Sequence, residues 1–346
     1  MKLILLLVLV ITACTAKTDI PLEFPTPPPQ AAATPLQKLN LKRDAALEKQ
    51  FAEIAKDAKG KVGAAAVLLD TGDAALLNAD GHYPMQSVYK LPISMTVMDQ
   101  VRLGKLDLDE KIGVTKEDFV KLGQASPLRD KNPNGGEFTI RELIRLALVE
   151  SDGTASDVLM RIAGGPTAVQ DYLTQIGIRD WKVLNTEKEF ALDWKTQYEN
   201  WATPLAAVEL LRFVQAGGNA SVNERAATQA NRTLPDGRVS THSTVSPTNQ
   251  FDDDDDDPII AFLTGAVTGP RRIKGSLPAG TQVAHKTGTS GSRAGITAAT
   301  NDIGIIYLPN GKHLAIAVFV ADSPADERTR EGVIARIAKA AFDHWK

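Results

Sequence analysis

The chain has 346 residues, 43% hydrophobic and 23% charged, the balance of a globular protein with room for one large domain or two lobes. A formal net charge of −3 gives no electrostatic reason to expect nucleic acid or an anionic membrane surface as a partner. Five histidines, one cysteine and no His-Glu-x-x-His run exclude a cysteine-rich zinc site, and a lone cysteine closes no disulfide within the chain, so its core must hold the fold.

Lys2 followed by the apolar run Leu3 to Ile11 has the shape of a signal peptide and is too short for a stable membrane span. It ends Ile11-Thr12-Ala13-Cys14, which resembles the lipobox of bacterial lipoproteins and implies cleavage and acylation at Cys14; a plain secretory signal is the alternative. Residues 15–35 carry Pro21, Pro25, Pro27, Pro28, Pro29 and Pro35 and read as an extended tether. The expectation is a lipid-anchored protein of the periplasm or outer cell-envelope face, monomeric by default, with its folded body in residues 36–346.

Leu36 to Ala58 has helical spacing of apolar residues and ends at Gly60. Val62 to Leu69 and Ala74 to Leu77 flank the turn Asp70-Thr71-Gly72-Asp73 and read as a hairpin. The middle reads as helical: Ile93 to Arg102, Ile140 to Leu148 led by Thr139, Ala155 to Ala163, Thr167 to Ile176 and Ala202 to Gln215. An irregular polar segment separates Trp181 from Trp201, and such a loop inside a compact domain is more often functional than idle. Residues 219–257, with six aspartates from Asp252 to Asp257, read as a solvated surface insertion, because the run lacks the spaced ligands and turn glycine of an EF-hand. Gln282 to Lys286, Thr297 to Tyr307 and Leu314 to Ala321 read as strands, the last two joined at Pro309-Asn310-Gly311. Glu327 to Trp345 reads as an amphipathic terminal helix. The expected fold is α/β of the α+β type: an antiparallel sheet flanked by the terminal helices, a helical lobe over about 85–265, and a cleft between.

Ser87-Val88-Tyr89-Lys90 places a hydroxyl and an amine three residues apart, on one face of a helix, where a lysine can help activate a serine. Glu150-Ser151-Asp152-Gly153 precedes a helical run, with Asp152 or Thr154 as its cap. His285-Lys286-Thr287-Gly288-Thr289 closes a strand. Each pattern is weak alone. In this order, however, Ser-x-x-Lys, a Ser-Asp pair and Lys-Thr-Gly form the motif set of class A β-lactamases and penicillin-binding proteins. The chain resembles that family over residues 36–345, including Thr154-Ala155, Leu277-Pro278-Ala279-Gly280 and Thr289-Ser290-Gly291. Thr186-Glu187-Lys188-Glu189-Phe190, followed by Gln197-Tyr198-Glu199-Asn200-Trp201, resembles the active-site loop of the branch with extended-spectrum and cephalosporin-hydrolysing enzymes.

The resemblance implies a small-molecule β-lactam substrate and no metal or cofactor. It assigns Ser87 as nucleophile, Lys90 or Glu187 as acceptor of its proton, and Ser151 as proton relay. Backbone N–H groups of Ser87 and Thr289 form the oxyanion hole. Lys286, Thr287, Gly288 and Thr289 bind the substrate carboxylate, with Arg272 as an extra cation and Arg271 and Lys274 as its rivals. Glu187 is the deacylating base and Glu189 its competitor. Two positions depart from the family: Gly153 stands where an asparagine usually contacts the acylamino group, and Ala191 where an asparagine often helps hold the hydrolytic water. A DD-peptidase, a serine glutaminase or esterase, and an acylated sensor domain are the alternatives; Glu187 weighs against the first, and the Lys286 to Thr289 run against the second.

Overall fold

The computed structural model describes residues 39–217 and 258–346. The signal sequence, Cys14, the proline-rich tether and the Asp252 to Asp257 run lie outside the described residues. Asp44 starts the first helix, Ala45–Ala55, by accepting the Leu47 N–H at 2.9 Å. The helical spacing from Leu36 overran this start, because Lys42–Arg43 instead pairs as a short strand with Asp73 and Ala74. A 3₁₀ turn, Lys56–Ala58, extends the helix, and Lys59 takes the left-handed cap at φ 50°. Gly60 follows it where a Cβ would lie 2.6 Å from the Ala321 carbonyl.

The main sheet runs, in spatial order, Asp73–Leu77, Lys61–Leu68, His313–Ser323, Ile296–Tyr307 and Val283–Thr289, each antiparallel to its neighbour. The alternation of side chains along these strands divides the core. One face, with Ala64, Ala66, Ile316 and Val318, packs under the first helix and the terminal helix Glu327–Trp345 through Phe51, Ile334 and Phe342. The other, with Ala65, Val67, Ala317 and Phe319, joins the larger core of the helical body. Alanines on both faces of Lys61–Leu68 leave little side-chain bulk between the layers, so the helices can pack close to the strand.

The helical body contains Lys90–Arg102, Ile140–Val149, Gly153–Ala163, Gly165–Gln175 and Pro204–Gln215. Thr139 starts the second with a full capping box to Glu142, and Asp152 starts the third by accepting the Ala155 N–H at 2.8 Å. Two small ribbons decorate this body, Lys111–Val114 with Gly136–Thr139 and a three-strand set around Trp201–Ala202. Both are too short to show in hydrophobic periodicity. Among the described residues no helix is long and apolar enough to cross a membrane.

Candidate active site

Ser87 lies in a 3₁₀ turn, Gln86–Tyr89, and Lys90 is the first residue of the helix that follows. Residues three apart eclipse in a 3₁₀ turn, so the serine–lysine spacing acts through the turn rather than through a continuous α-helix. Gln86, just before the serine, holds a left-handed backbone at φ 50° and donates its amide to Gln197 Oε1 at 2.8 Å. The turn is held from the sheet side as well. Asn301 Nδ2 donates to the carbonyls of Pro84 (2.8 Å) and Met85 (3.1 Å). Gly288, opposite Asn301 in the sheet register, leaves room for this approach: a Cβ there would lie 2.1 Å from the Met85 carbonyl.

Ser87 is half-buried and lines a cleft of about 510 Å³ with Lys90, Ser151, Glu187, Thr287 and Thr289. The amine of Lys90, almost fully buried, reaches the Glu187 carboxylate at 2.9 Å and the Ser151 carbonyl at 2.7 Å. Ser151 has a left-handed backbone (φ 59°), a conformation rare for a residue with a side chain and common at functional sites. Its Oγ accepts from Lys286 Nζ at 3.0 Å. Burial, with Lys90 close by, holds the Lys286 amine well below the usual lysine range. An anionic ligand beside it would favour its charged form.

Glu187 opens a four-residue helix, Glu187–Phe190, whose start is Thr186. Glu189 is occupied there: its carboxylate accepts the Thr186 N–H at 2.7 Å and completes a capping box. Of the two glutamates weighed for this loop, Glu187 therefore faces Lys90 and Glu189 holds the helix start. The loop is fastened at its base by Asn200, fully buried, whose Oδ1 accepts the N–H groups of Leu184 and Asn185 at 2.8 and 2.9 Å. Asp157 accepts the N–H groups of Glu187 and Lys188 at 2.8 and 3.1 Å, and Gln124 donates its amide to the Glu187 carbonyl.

Asp152 has no part in the cleft lining. Its buried carboxylate accepts the Leu128 N–H at 2.6 Å and the Ser126 hydroxyl at 3.0 Å, and so ties the 120–128 segment to the helix after Ser151. Gly153 is enclosed by that segment: a Cβ would lie 3.1 Å from the Ala125 carbonyl and 3.3 Å from both Val120 methyls. The residue expected to be asparagine is a glycine where the neighbouring chain has closed in.

Of the three cations weighed for the substrate anion, only Arg272 lines the cleft. It is buried, donates to Thr289 Oγ1 at 2.7 Å and to the Asn301 carbonyl at 2.9 Å, and pairs with Glu331 at 3.2 Å. Arg271 turns outward onto the same Glu331 at 2.7 Å. The amine of Lys274 contacts the carbonyls of Thr264 and Ala266 at 3.5 and 3.4 Å.

Asp157, Asn301, Gln86 and Glu331 were not singled out from the sequence as site residues. The Thr186-x-x-Glu189 capping signature was readable there and would have separated the two glutamates.

A serine turn at the junction of sheet and helical body, facing two lysines and a glutamate, defines a serine acyl-transfer enzyme of the kind that opens β-lactams. Comparison with known proteins agrees. Residues 46–345 match the model of the beta-lactamase enzyme family. The chain is 36% identical over 298 residues to the extended-spectrum beta-lactamase PER-1 of Pseudomonas aeruginosa, covering 86% of each chain. It is 34% identical over 292 residues to beta-lactamase VEB-1 of the same organism, covering 84% of this chain and 88% of that one. A crystal structure of a beta-lactamase from Chitinophaga pinensis superposes with a TM-score of 0.75 at 37% identity, covering 87% of this chain and all of that one. The chain belongs to the beta-lactamase enzyme family. It is a class A serine hydrolase of the β-lactam amide bond, the reaction that confers resistance to these antibiotics.

Proposed function

We propose that Ser87 is the nucleophile that forms the acyl-enzyme and that Glu187 activates the water that releases it. The observation that carries this reading is the 2.9 Å contact between Lys90 and Glu187 in the cleft that Ser87 lines. Either Lys90 or Glu187, through a water, takes the serine proton. The backbone N–H groups of Ser87 and Thr289 stabilise the oxyanion, a contribution of about 3 kcal/mol per donor in comparable sites. Ser151, bonded to Lys286 at 3.0 Å, hands a proton to the departing ring nitrogen. Lys286, Thr287 and Thr289 hold the substrate carboxylate, and Arg272 adds a second cation. Gly288 serves by its missing side chain, which lets strand and serine turn approach.

A soluble form tested on a chromogenic cephalosporin should turn over, and Glu187→Ala should leave an acyl adduct on Ser87 that mass spectrometry detects. Undiminished turnover by Glu187→Ala would remove Glu187 from the mechanism. A wild-type protein that only forms the adduct would favour the DD-peptidase reading.

We further propose that the protein is a monomer on the outer side of a bacterial membrane, held there by acylated Cys14. Its support is the Ile11-Thr12-Ala13-Cys14 sequence and the proline-rich run behind it. Cys14→Ser should move the enzyme from the membrane fraction to the soluble one; unchanged fractionation would rule the anchor out.

A further inference from the structure

Two hydroxyls on fully buried side chains, Tyr89 Oη and Ser156 Oγ, close no well-aligned hydrogen bond, yet the Tyr89 hydroxyl is within reach of both Ser156 and Glu187. Neither residue lines the cleft. Tyr89 lies between Ser87 and Lys90 in sequence, and its ring meets Phe190 edge-on with centroids 5.6 Å apart. Phe190 ends the short helix that Glu187 begins. Ser156 precedes Asp157, whose carboxylate binds the N–H groups at the start of that helix.

The charges around this cluster come from three elements. Lys90 follows Tyr89, Glu187 comes from the loop helix, and Asp157 from the helix behind. The Lys188 amine is turned away onto the Glu117 carbonyl. Burial above all, then the Glu187 and Asp157 charges, pushes the Tyr89 phenol's pKa well above its usual range. The Tyr89 phenol is thus a proton donor at neutral pH. A donor close to two carboxylates in a low-dielectric interior has a strong reason to be shared with one of them.

We propose that Tyr89 is a positioning residue for the base: its hydroxyl, supported by Ser156, donates to the Glu187 carboxylate and holds it in place beside Lys90 and Asp157. No proton is transferred in this role; the phenol stays protonated throughout. The inference rests on Glu187 being the deacylating base. A hydrogen bond donated to the ionised carboxylate lowers its proton affinity, so deleting the hydroxyl must raise it.

The test is the pH dependence of deacylation for wild type, Tyr89→Phe, Ser156→Ala and Glu187→Ala, with the acyl-enzyme followed by mass spectrometry. Phenylalanine keeps the ring against Phe190 and removes only the oxygen. The acidic limb of Tyr89→Phe should move to higher pH by about half to one unit, a roughly 3- to 10-fold slower deacylation on that limb. Ser156→Ala should move it the same way by less, and it keeps the test available should Tyr89→Phe fold poorly. Coincident acidic limbs, or a loss of rate that is the same at every pH, would overturn the role of Tyr89 while an acyl adduct in Glu187→Ala leaves the base in place. Turnover by Glu187→Ala would instead overturn the reading beneath it.

Discussion

Asp157 is pulled two ways. Burial, its largest influence, and the nearby Glu187 charge push its carboxyl from the ordinary 3.8 up to about 7, while the two loop N–H groups and Lys90 favour the ionised form. The folded protein therefore holds this proton more tightly than the unfolded chain does. The resulting penalty is absent below about pH 4, grows as pH rises toward 7 and is complete above it. Between pH 5 and pH 8, Asp157→Asn should remove a pH-dependent loss of up to about 3 kcal/mol that wild type shows in denaturant titrations. The two N–H groups bind different carboxylate oxygens, and asparagine replaces one of these with an NH2 donor, so a constant offset is expected as well. A wild-type-minus-variant difference that does not change with pH would refute the assignment. Nothing in the sequence marked Asp157 as more than a helix residue, because its partners come from a loop about thirty residues away whose path only the fold defines.

The elements that carry the site are short, and their starts and stops do more than their length. Glu187–Phe190 is held by the Thr186 cap and the Asp157 carboxylate rather than by helix propensity, since so short a helix is unstable alone. Thr186→Val should cost about 1 kcal/mol and speed hydrogen exchange in residues 186–192 before it changes global unfolding. Exchange at the wild-type rate there would mean that the cap is not what orders the loop. On the strand side, Gly288→Ala would drive a methyl into the Met85 carbonyl, 2.1 Å from the ideal Cβ position. Backbone on both sides leaves no flexible side chain to yield. The expected outcome is a loss of 1–3 kcal/mol from overpacking together with a more than about 100-fold slower acylation of Ser87, read by burst kinetics. Normal acylation by a folded variant would show that the serine turn tolerates displacement. The strand and the Lys-Thr-Gly run were legible from composition and pattern. The need for glycine was not, because the opposing carbonyl lies some two hundred residues earlier in the chain.

At the scale of the molecule, the strongly periodic parts were legible: the terminal helix, the last two strands and most helices of the body follow the apolar pattern of the sequence. Links between distant segments were not, since no local pattern records them; Asn301 reaches a carbonyl 217 residues away. The Glu331 link is of this kind and joins the terminal helix to the cleft. Its carboxylate, 3% exposed, takes Arg272 at 3.2 Å and Arg271 at 2.7 Å, and Arg272 extends to Thr289. Removing one partner of a buried pair leaves the other charge uncompensated, a larger effect than the pair contributes when intact. Glu331→Gln keeps an oxygen for the guanidinium but no charge. It should cost about 3 kcal/mol of stability with little rise in KM, because the bare cation still faces the substrate anion. Glu331→Ala also removes the oxygen that orients Arg272, so KM for a carboxylate-bearing substrate should rise several-fold while kcat changes less. Thermal unfolding and steady-state kinetics on the two variants separate charge from position. If Glu331→Ala keeps both the wild-type melting temperature and KM, the terminal helix has no hold on the site.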